Sequence, residues 1–264
     1  MFDPNFDSRL LLIYLAVKCR GDFQKMLMFL RMRDYDIPYA KAMRVYNNLK
    51  CKALTILDYD YPEKLKKVAH APLVLFYYGD ITLLQKHLVA VVGSREYSEY
   101  GKNCTEHIVN ELAKETVIIS GLAKGIDTIA HQAAINSGGR TIAVLGSGLD
   151  NCYPKENQEL YEEIKKNHLL ISEYPFHVTP DAGHFPMRNR IVVGLADAIY
   201  VPQVNEYASG TMISLSLAAD ANKDVFVAPF PPGSNTINNK MINEGAFLAD
   251  SGRQILEQEE WLEK

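Results

Sequence analysis

Residues 89–127 read VAVVGSREYSEYGKNCTEHIVNELAKETVIISGLAKGID. Four small or β-branched apolar residues end in Gly93-Ser94-Arg95. A helix-length amphipathic segment follows over 98–114, and a second apolar run, 116–120, ends in Gly121-Leu122-Ala123-Lys124-Gly125-Ile126-Asp127. Short β-branched runs alternating with helix-length segments indicate βα units. The alternation continues downstream, with strands expected at 141–145, 169–172, 198–201 and 225–228 and helices near 125–136, 155–167, 185–195 and 209–222. This spacing predicts an α/β fold built on a doubly wound, mostly parallel sheet with right-handed crossovers.

The chain before this region is different in kind. Residues 7–50 hold three helix-length stretches, at 8–19, 22–32 and 37–50, with almost no alternating β-branched pattern. Asp36-Ile37-Pro38 supplies a capping side chain and a proline for the start of the third. A bridging stretch follows from Ala53 to Leu84, with a turn at Tyr61-Pro62 and a strand expected over 73–78, closed by Gly79-Asp80. The organisation expected is a small N-terminal helical domain over 1–52 and a sheet domain over 53–264.

Composition narrows the function classes. The 264 residues, 47% hydrophobic and 23% charged, describe an ordinary globular chain. The longest apolar run, Leu10 to Val17, is far shorter than the roughly 20 residues a membrane-spanning helix needs. Asp3 and Asp7 precede it where a secretory signal carries positive charge, so a cytoplasmic protein is expected. Cys19, Cys51, Cys104 and Cys152 show no zinc-ligand spacing and no CxxC, so neither a metal nor a disulfide framework is expected. A net charge of −4 argues against coating nucleic acid through global charge. The charge is uneven, however: ten basic against seven acidic side chains in residues 1–60 give +3 there and leave −7 for the rest.

In a doubly wound sheet the ligand sits outside the carboxyl ends of the strands. The glycine-rich segments lie there: Gly93-Ser94-Arg95, Gly121 to Gly125, Gly146-Ser147-Gly148-Leu149-Asp150, and Ser209-Gly210-Thr211 opening a helix. Glycines admit close backbone approach, and helix N-termini present unpaired N–H groups, so the set reads as an anion-binding rim. Gly93-Ser94-Arg95 breaks the GxGxxG pattern and no segment matches GxxxxGK[ST], which disfavours dinucleotide binding and ATP hydrolysis. Cationic side chains cluster in the same loops: Arg95, Lys124, Lys155 after Tyr153-Pro154, and the pair flanking Asn189, Arg188 and Arg190. Arg95, two positions past a buried strand, calls for a phosphate or a structural carboxylate as its partner. Of Arg188 and Arg190, one is expected to serve the ligand and the other a loop, and the sequence leaves open which. Seven dispersed histidines assemble no catalytic constellation; His131, four residues after Asp127, pairs with it on the simplest reading. Glu173-Tyr174-Pro175 offers either a general base or a helix cap.

The ordered series from Val91-Val92-Gly93-Ser94-Arg95 through Ser120 to Asp127, Gly146 to Asp150, Tyr153-Pro154, Ser172 to Pro175, Phe185-Pro186-Met187-Arg188-Asn189-Arg190-Ile191, Ser209-Gly210-Thr211 and Asn239 to Ala246 resembles the DNA-processing protein DprA (Smf) family. The resemblance covers most of residues 73–248. It implies an extended Rossmann-like domain that binds single-stranded DNA, protects incoming strands in natural transformation and loads the RecA recombinase. Members act as homodimers, are not regarded as enzymes, need no cofactor, and often carry an N-terminal helical module of the SAM or helix-hairpin-helix kind. It implies that Arg95 and Lys155 contribute to the DNA pocket. Joined with the loop residues read above, the DNA site expected comprises Gly93, Ser94, Arg95, Gly121, Lys124, Gly125, Gly146, Ser147, Lys155, Phe185, Arg188, Asn189, Arg190, Ser209, Gly210 and Thr211, with bases against Phe185, Tyr153 or Tyr174. The dimer contact is implied near Asn239 to Phe247, with Met241, Ile242 and Phe247 in it and the RecA surface close by. Three departures from the family pattern stand out: Ala208 where a basic residue is common, Phe230 after Pro229 where glycine is commoner, and no room after Lys264 for an appended winged helix.

Two other readings compete. Nucleoside-monophosphate phosphoribohydrolases of the lysine-decarboxylase-like group use similar loops, but their PGGxGTxxE motif is replaced here by Tyr207-Ala208-Ser209-Gly210-Thr211-Met212-Ile213-Ser214. A protein-interaction scaffold whose loops are merely turns is the other.

Overall fold

The computed structural model describes residues 7–32, 37–206 and 209–262. Three helices open the chain: α1 (Ser8–Lys18), α2 (Phe23–Met32) and α3 (Tyr39–Asn47). There follow β1 (Lys52–Thr55), the one-turn α4 (Glu63–Lys66), β2 (Val74–Gly79), β3 (Leu88–Val91), α5 (Glu99–Leu112), β4 (Val117–Ser120), α6 (Ile126–Asn136) and β5 (Arg140–Leu145). The remainder comprises α7 (Gln158–Asn167), β6 (Leu169–Ser172), α8 (His184–Leu195), β7 (Ala198–Val201), α9 (Gly210–Asp220), β8 (Val225–Val227), α10 (Asn238–Asn243), β9 (Phe247–Leu248) and α11 (Gly252–Gln258).

The strands form one nine-stranded sheet in the order β1-β2-β6-β5-β4-β3-β7-β8-β9. Every pairing from β6 to β9 is parallel, and only β1–β2 and β2–β6 are antiparallel. This is the expected α/β fold: an extended Rossmann-like, mostly parallel sheet preceded by helices. The central strands are buried on both faces because helices cover both, which is why they read as unbroken apolar runs. Side chains nonetheless alternate: Leu88 and Ala90 enter one apolar cluster, Val89 and Val91 the other.

Several elements differ from the sequence reading. Lys155 to Asn157 form a 3₁₀ turn before α7, so the helix expected from 155 begins at Gln158. Pro38 stands at the N-cap of α3 rather than inside its first turn, and the cap expected from Asp36 lies outside the described residues. The edge strands β1 and β9 were not foreseen: Lys52 to Thr55 carries no β-branched apolar run of the kind that marks the central strands, and β9 has only two residues. A boundary between 52 and 53 falls inside β1. Residues Leu10 to Ala16 of α1 are all buried, and share one apolar cluster with Val74, Phe76, Ala143, Leu145 and Leu170 of the sheet. A helix apolar on every side must be covered on every side. The helical segment and the sheet therefore close over a common core.

Helix α8 is locked to the end of β6 by a buried ion pair. Arg190 Nη2 donates to both carboxylate oxygens of Glu173 at 2.6 Å, and the two side chains are only 5% and 6% exposed. Nε and Nη1 of Arg190 have no other partner among the described residues, so Glu173 alone compensates that charge. Burial pushes the Glu173 carboxyl upward and the Arg190 charge opposes the shift. On α6, His131 is fully buried and bonds Thr141 Oγ1 at 2.7 Å instead of pairing with Asp127. Burial and the Arg188 charge push its pKa down to about 3.

Two stability measurements test this framework. Glu173→Ala strands a buried guanidinium and should cost about 3–5 kcal/mol by urea denaturation, whereas the double replacement Glu173→Leu with Arg190→Met should recover most of it. His131 is neutral in the folded chain and titrates near 6.5 when unfolded, so the unfolded state binds the extra proton as pH falls from 6.5 towards 3. Stability should decline with acidification by up to about 1.4 kcal/mol per pH unit from this group, and His131→Gln should remove that component.

Candidate nucleic-acid interface

The carboxyl ends of β3, β4 and β5 meet loops that form one depression. Arg95, Gly121, Lys124, Gly146, Ser147, Phe185 and Arg188 all line it, with Tyr153 and Pro154 on its rim. Seven of the residues expected at the site thus converge from four separate segments. The enclosed cavity is about 60 Å3, well below the roughly 300–1,000 Å3 of pockets that engulf small molecules. That volume leaves no room for a whole small-molecule ligand.

Arg188 forms the floor. It is only 6% exposed, and its Nη1 donates to the carbonyls of Gly121 and Val144, the latter at 2.8 Å. Nε donates to Asn189 Oδ1 at 3.0 Å. Burial weighs against its charge, Asp127 supports it, and nearby Arg95 opposes it. A Cβ on Gly121 would stand 1.9 Å from Nη1, so glycine there makes room for the guanidinium. Gly125 has φ +83°, and a Cβ would meet the carbonyls of Ser94 and Arg95 at 2.5 Å. These two glycines serve the packing of the protein's own groups.

The loop after β4 is held from below. Asp127 Oδ2 accepts from the amides of Gly121 at 3.1 Å and Ala123 at 3.3 Å. Asn157 donates to Leu122 O at 3.0 Å and to Thr128 Oγ1 at 2.9 Å. The amide of Ser94 donates to Gln203 O at 2.9 Å, and Gly148 N to Val178 O at 2.8 Å. The amides of Ser94, Gly121, Ala123 and Gly148 are therefore already engaged within the protein. Cationic side chains are what the depression offers in addition to the remaining loop N–H groups. Asp127, Asn157 and Gln203 were missed because their role is to order the loops, which sequence spacing does not display.

The rim is exposed and partly self-neutralised. Lys124 Nζ lies 2.6 Å from Glu156 Oε1, both side chains being more than half exposed. Lys155 is exposed beside Pro154 but does not line the cavity. Phe185 and Tyr153 stack, with centroids 5.6 Å apart and planes 28° apart, and Tyr153 is 49% exposed. Tyr174, by contrast, is buried against His184, with centroids 4.1 Å apart, so it offers no face to a base.

Other expected residues stand elsewhere. Arg190 turns into the core, where Glu173 holds it, and is corrected from ligand contact to structural anchor. The same pairing leaves Glu173 without the freedom of a general base. Gly93 and Ser94 support the Arg95 loop, Ser94 Oγ accepting from Asn205 N at 3.0 Å. Asn189 reaches Gly210 O at 3.3 Å, tying α8 to the start of α9. Ser209, Gly210 and Thr211 do not line the depression; Thr211 is buried and Gly210 open. The departure at Ala208 lies outside the described residues. Phe230 is buried and pinned by Asn239, which donates to its carbonyl at 2.7 Å and accepts from its amide at 2.9 Å. Met241 packs in the core, so it is corrected from the expected dimer surface. Ile242 is partly buried, while Phe247 and Leu248 on edge strand β9 are 42% and 46% exposed. Among the described residues no His, Cys, Asp and Glu cluster could hold a metal ion, and no helix is long and apolar enough to cross a membrane.

This geometry can be set beside known proteins. The family model described as DNA recombination-mediator protein A matches residues 52–260. The DNA processing protein DprA of Streptococcus pneumoniae is 44% identical over 209 residues, spanning 78% of this chain and 74% of that protein. That of Bacillus subtilis is 38% identical over 228 residues, spanning 83% and 76%. The X-ray structure of the pneumococcal protein superposes with a TM-score of 0.80 at 35% identity, covering 96% of this chain and 98% of that one. A structure of DNA processing protein A from Helicobacter pylori, described for its single-stranded DNA binding mode, gives a TM-score of 0.70 at 32% identity over 80% of this chain and 96% of that one. By its sequence over the whole sheet and by its fold, the chain belongs to the DprA (Smf) family of DNA recombination mediators.

Proposed function

We propose that the chain is a single-stranded DNA-binding recombination mediator that protects incoming strands in the cytoplasm during natural transformation and passes them to RecA, without catalysing a reaction of its own. The observation that carries this reading is the convergence of Arg95, Lys124 and Arg188 with the Tyr153–Phe185 stack in one shallow depression. Guanidinium and ammonium groups grip successive phosphates, while an exposed ring offers a base a stacking face worth about 1–3 kcal/mol. Lys155, exposed at the foot of the Tyr153-Pro154 turn, extends the cationic track. The Helicobacter pylori relative, described for binding single-stranded DNA, supports the same chemistry here.

The phosphoribohydrolase alternative needs a free carboxylate beside a nucleotide-sized pocket. Glu173 is engaged by Arg190 and does not line the cationic depression, whose enclosed volume of about 60 Å3 is too small for a nucleotide. The helical segment, which shares the core of the sheet, is proposed as a module that braces the DNA-binding domain.

A homodimer formed through the outer sheet edge is part of the proposal. β9 presents unpaired strand edge together with Phe247 and Leu248, and Ile242 lies nearby. Such an edge invites pairing with a second copy. The surface for RecA is proposed next to it.

Binding should weaken as salt rises, with a slope of about −0.7 per phosphate neutralised. Arg95→Ala should make that slope shallower in fluorescence-anisotropy titrations of a labelled oligothymidylate; an unchanged slope contradicts the site. Glu156→Gln releases Lys124 from its ion pair and should tighten binding at low salt. Phe247→Asp with Leu248→Asp should shift the sedimentation velocity of the protein from dimer to monomer while leaving its circular dichroism unchanged.

A further inference from the structure

A second depression lies on the other side of Arg95, where the strand order reverses. From β3 the chain winds through β4, β5 and β6 to one side of the sheet, then returns to β7, beside β3 on the other side. The crevice outside such a switch point is the general ligand position in doubly wound sheets. Here it measures about 520 Å3 and runs between the loops after β3, β7 and β8. None of its walls belongs to the depression described above.

Its chemistry differs from that of its neighbour. Tyr97 and Tyr100 are 46% and 44% exposed, and Phe230 packs edge-on against Tyr100 with centroids 4.8 Å apart. Asn205 donates from Nδ2 to Glu96 O at 2.9 Å and accepts at Oδ1 from Gln203 at 2.6 Å, which leaves one N–H and one lone pair of its amide unused among the described residues. The Asn235 side chain makes no hydrogen bond among the described residues and is exposed. No lysine or arginine lines the crevice, and the Glu96 carboxylate stands on its rim. Aromatic faces and amide edges without cations recognise a neutral planar group, and the carboxylate repels a phosphate.

The crevice is also pre-formed. Asn238 is fully buried and ties α10 to the loops after β7 and β8: Oδ1 accepts from Val204 N at 2.8 Å, and Nδ2 donates to Pro202 O and Ala228 O at 2.9 Å. Ser94 Oγ accepts from Asn205 N, so the loop that carries Arg95 is bonded to the crevice wall. Rigid walls reduce the ordering a ligand must impose on binding.

We infer that the crevice bounded by Tyr97, Tyr100, Phe230, Asn205 and Asn235 is a nucleobase subsite, taking a base of the same strand whose phosphates cross Arg95. This rests on the reading of the first depression as a single-strand site. Arg95 becomes the ridge between two base-holding hollows, one cationic and one neutral.

The test uses oligothymidylates lengthened one nucleotide at a time, titrated against the full chain, Tyr97→Ala and Asn235→Ala. The shortest oligomers that bind, occupying the first depression, should bind all three proteins alike. Longer ones should bind Tyr97→Ala about 5- to 100-fold more weakly, with the salt slope of the unaltered protein, because no phosphate contact is removed. Ultraviolet cross-linking of 5-iododeoxyuridine placed at successive positions should yield adducts on Tyr97 or Tyr100 in addition to Tyr153 or Phe185. Equal affinities at every length, or adducts confined to Tyr153 and Phe185, overturn the subsite while leaving the first site standing. A failure of the unaltered chain to bind any oligomer overturns both.

Discussion

A guanidinium is buried where two parallel strands end, and the cationic depression is organised around it. Arg188 reaches from α8 to the carbonyl of Gly121 after β4 and to that of Val144 in β5. Two orphan carbonyls at strand termini are satisfied by one side chain, and in return they hold a charge that burial alone would expel. Asp127, beneath the same loop, offsets part of that charge and orders the Gly121 and Ala123 amides. Arg188 is thereby held in place without being neutralised by a direct ion pair, since the three hydrogen bonds it donates meet neutral oxygens.

Two uses of arginine lie two residues apart on α8, about half a turn. Arg188 meets carbonyls and keeps its field at the surface of the depression, whereas Arg190 meets the carboxylate of Glu173 and is electrically closed. The ion pair fixes the azimuth of the helix, so Arg188 points at the strand ends. Lys124 shows an intermediate case: Glu156 pairs with it at the exposed rim, where solvent and salt keep such a pair weak and exchangeable. Lys124 is open to a competing anion and Arg190 is not. The permanent part of the site is buried and the adjustable part is exposed.

Much of this organisation was legible from residue spacing. The alternation of β-branched runs and amphipathic segments from 89 onward placed the parallel strands within a residue or so, because burial on both faces leaves few alternatives to apolar residues. Glycine-rich segments after strands marked the end of the sheet that matters. The seams escaped: β1 lacks the β-branched apolar run of the central strands, β9 has only two residues, and Met241 could not be told from a surface residue, since a short helix shows one face to the core and another to solvent with no fixed phase in the sequence.

Fold class, the usable end of the sheet and the cluster of cationic side chains followed from the chain itself, since covalent order and hydrophobic period bind them to strand termini. Which of Arg188 and Arg190 lines the depression did not. That choice depends on whether a carbonyl pair or a carboxylate lies opposite, and Glu173 and Gly121 are brought there from other strands. The same holds for Tyr153, Phe185 and Tyr174, three aromatic residues alike in sequence, of which two form the exposed stack and one is buried under His184. Side-chain exposure is a property of what packs against a residue, and only the closed fold supplies the partner.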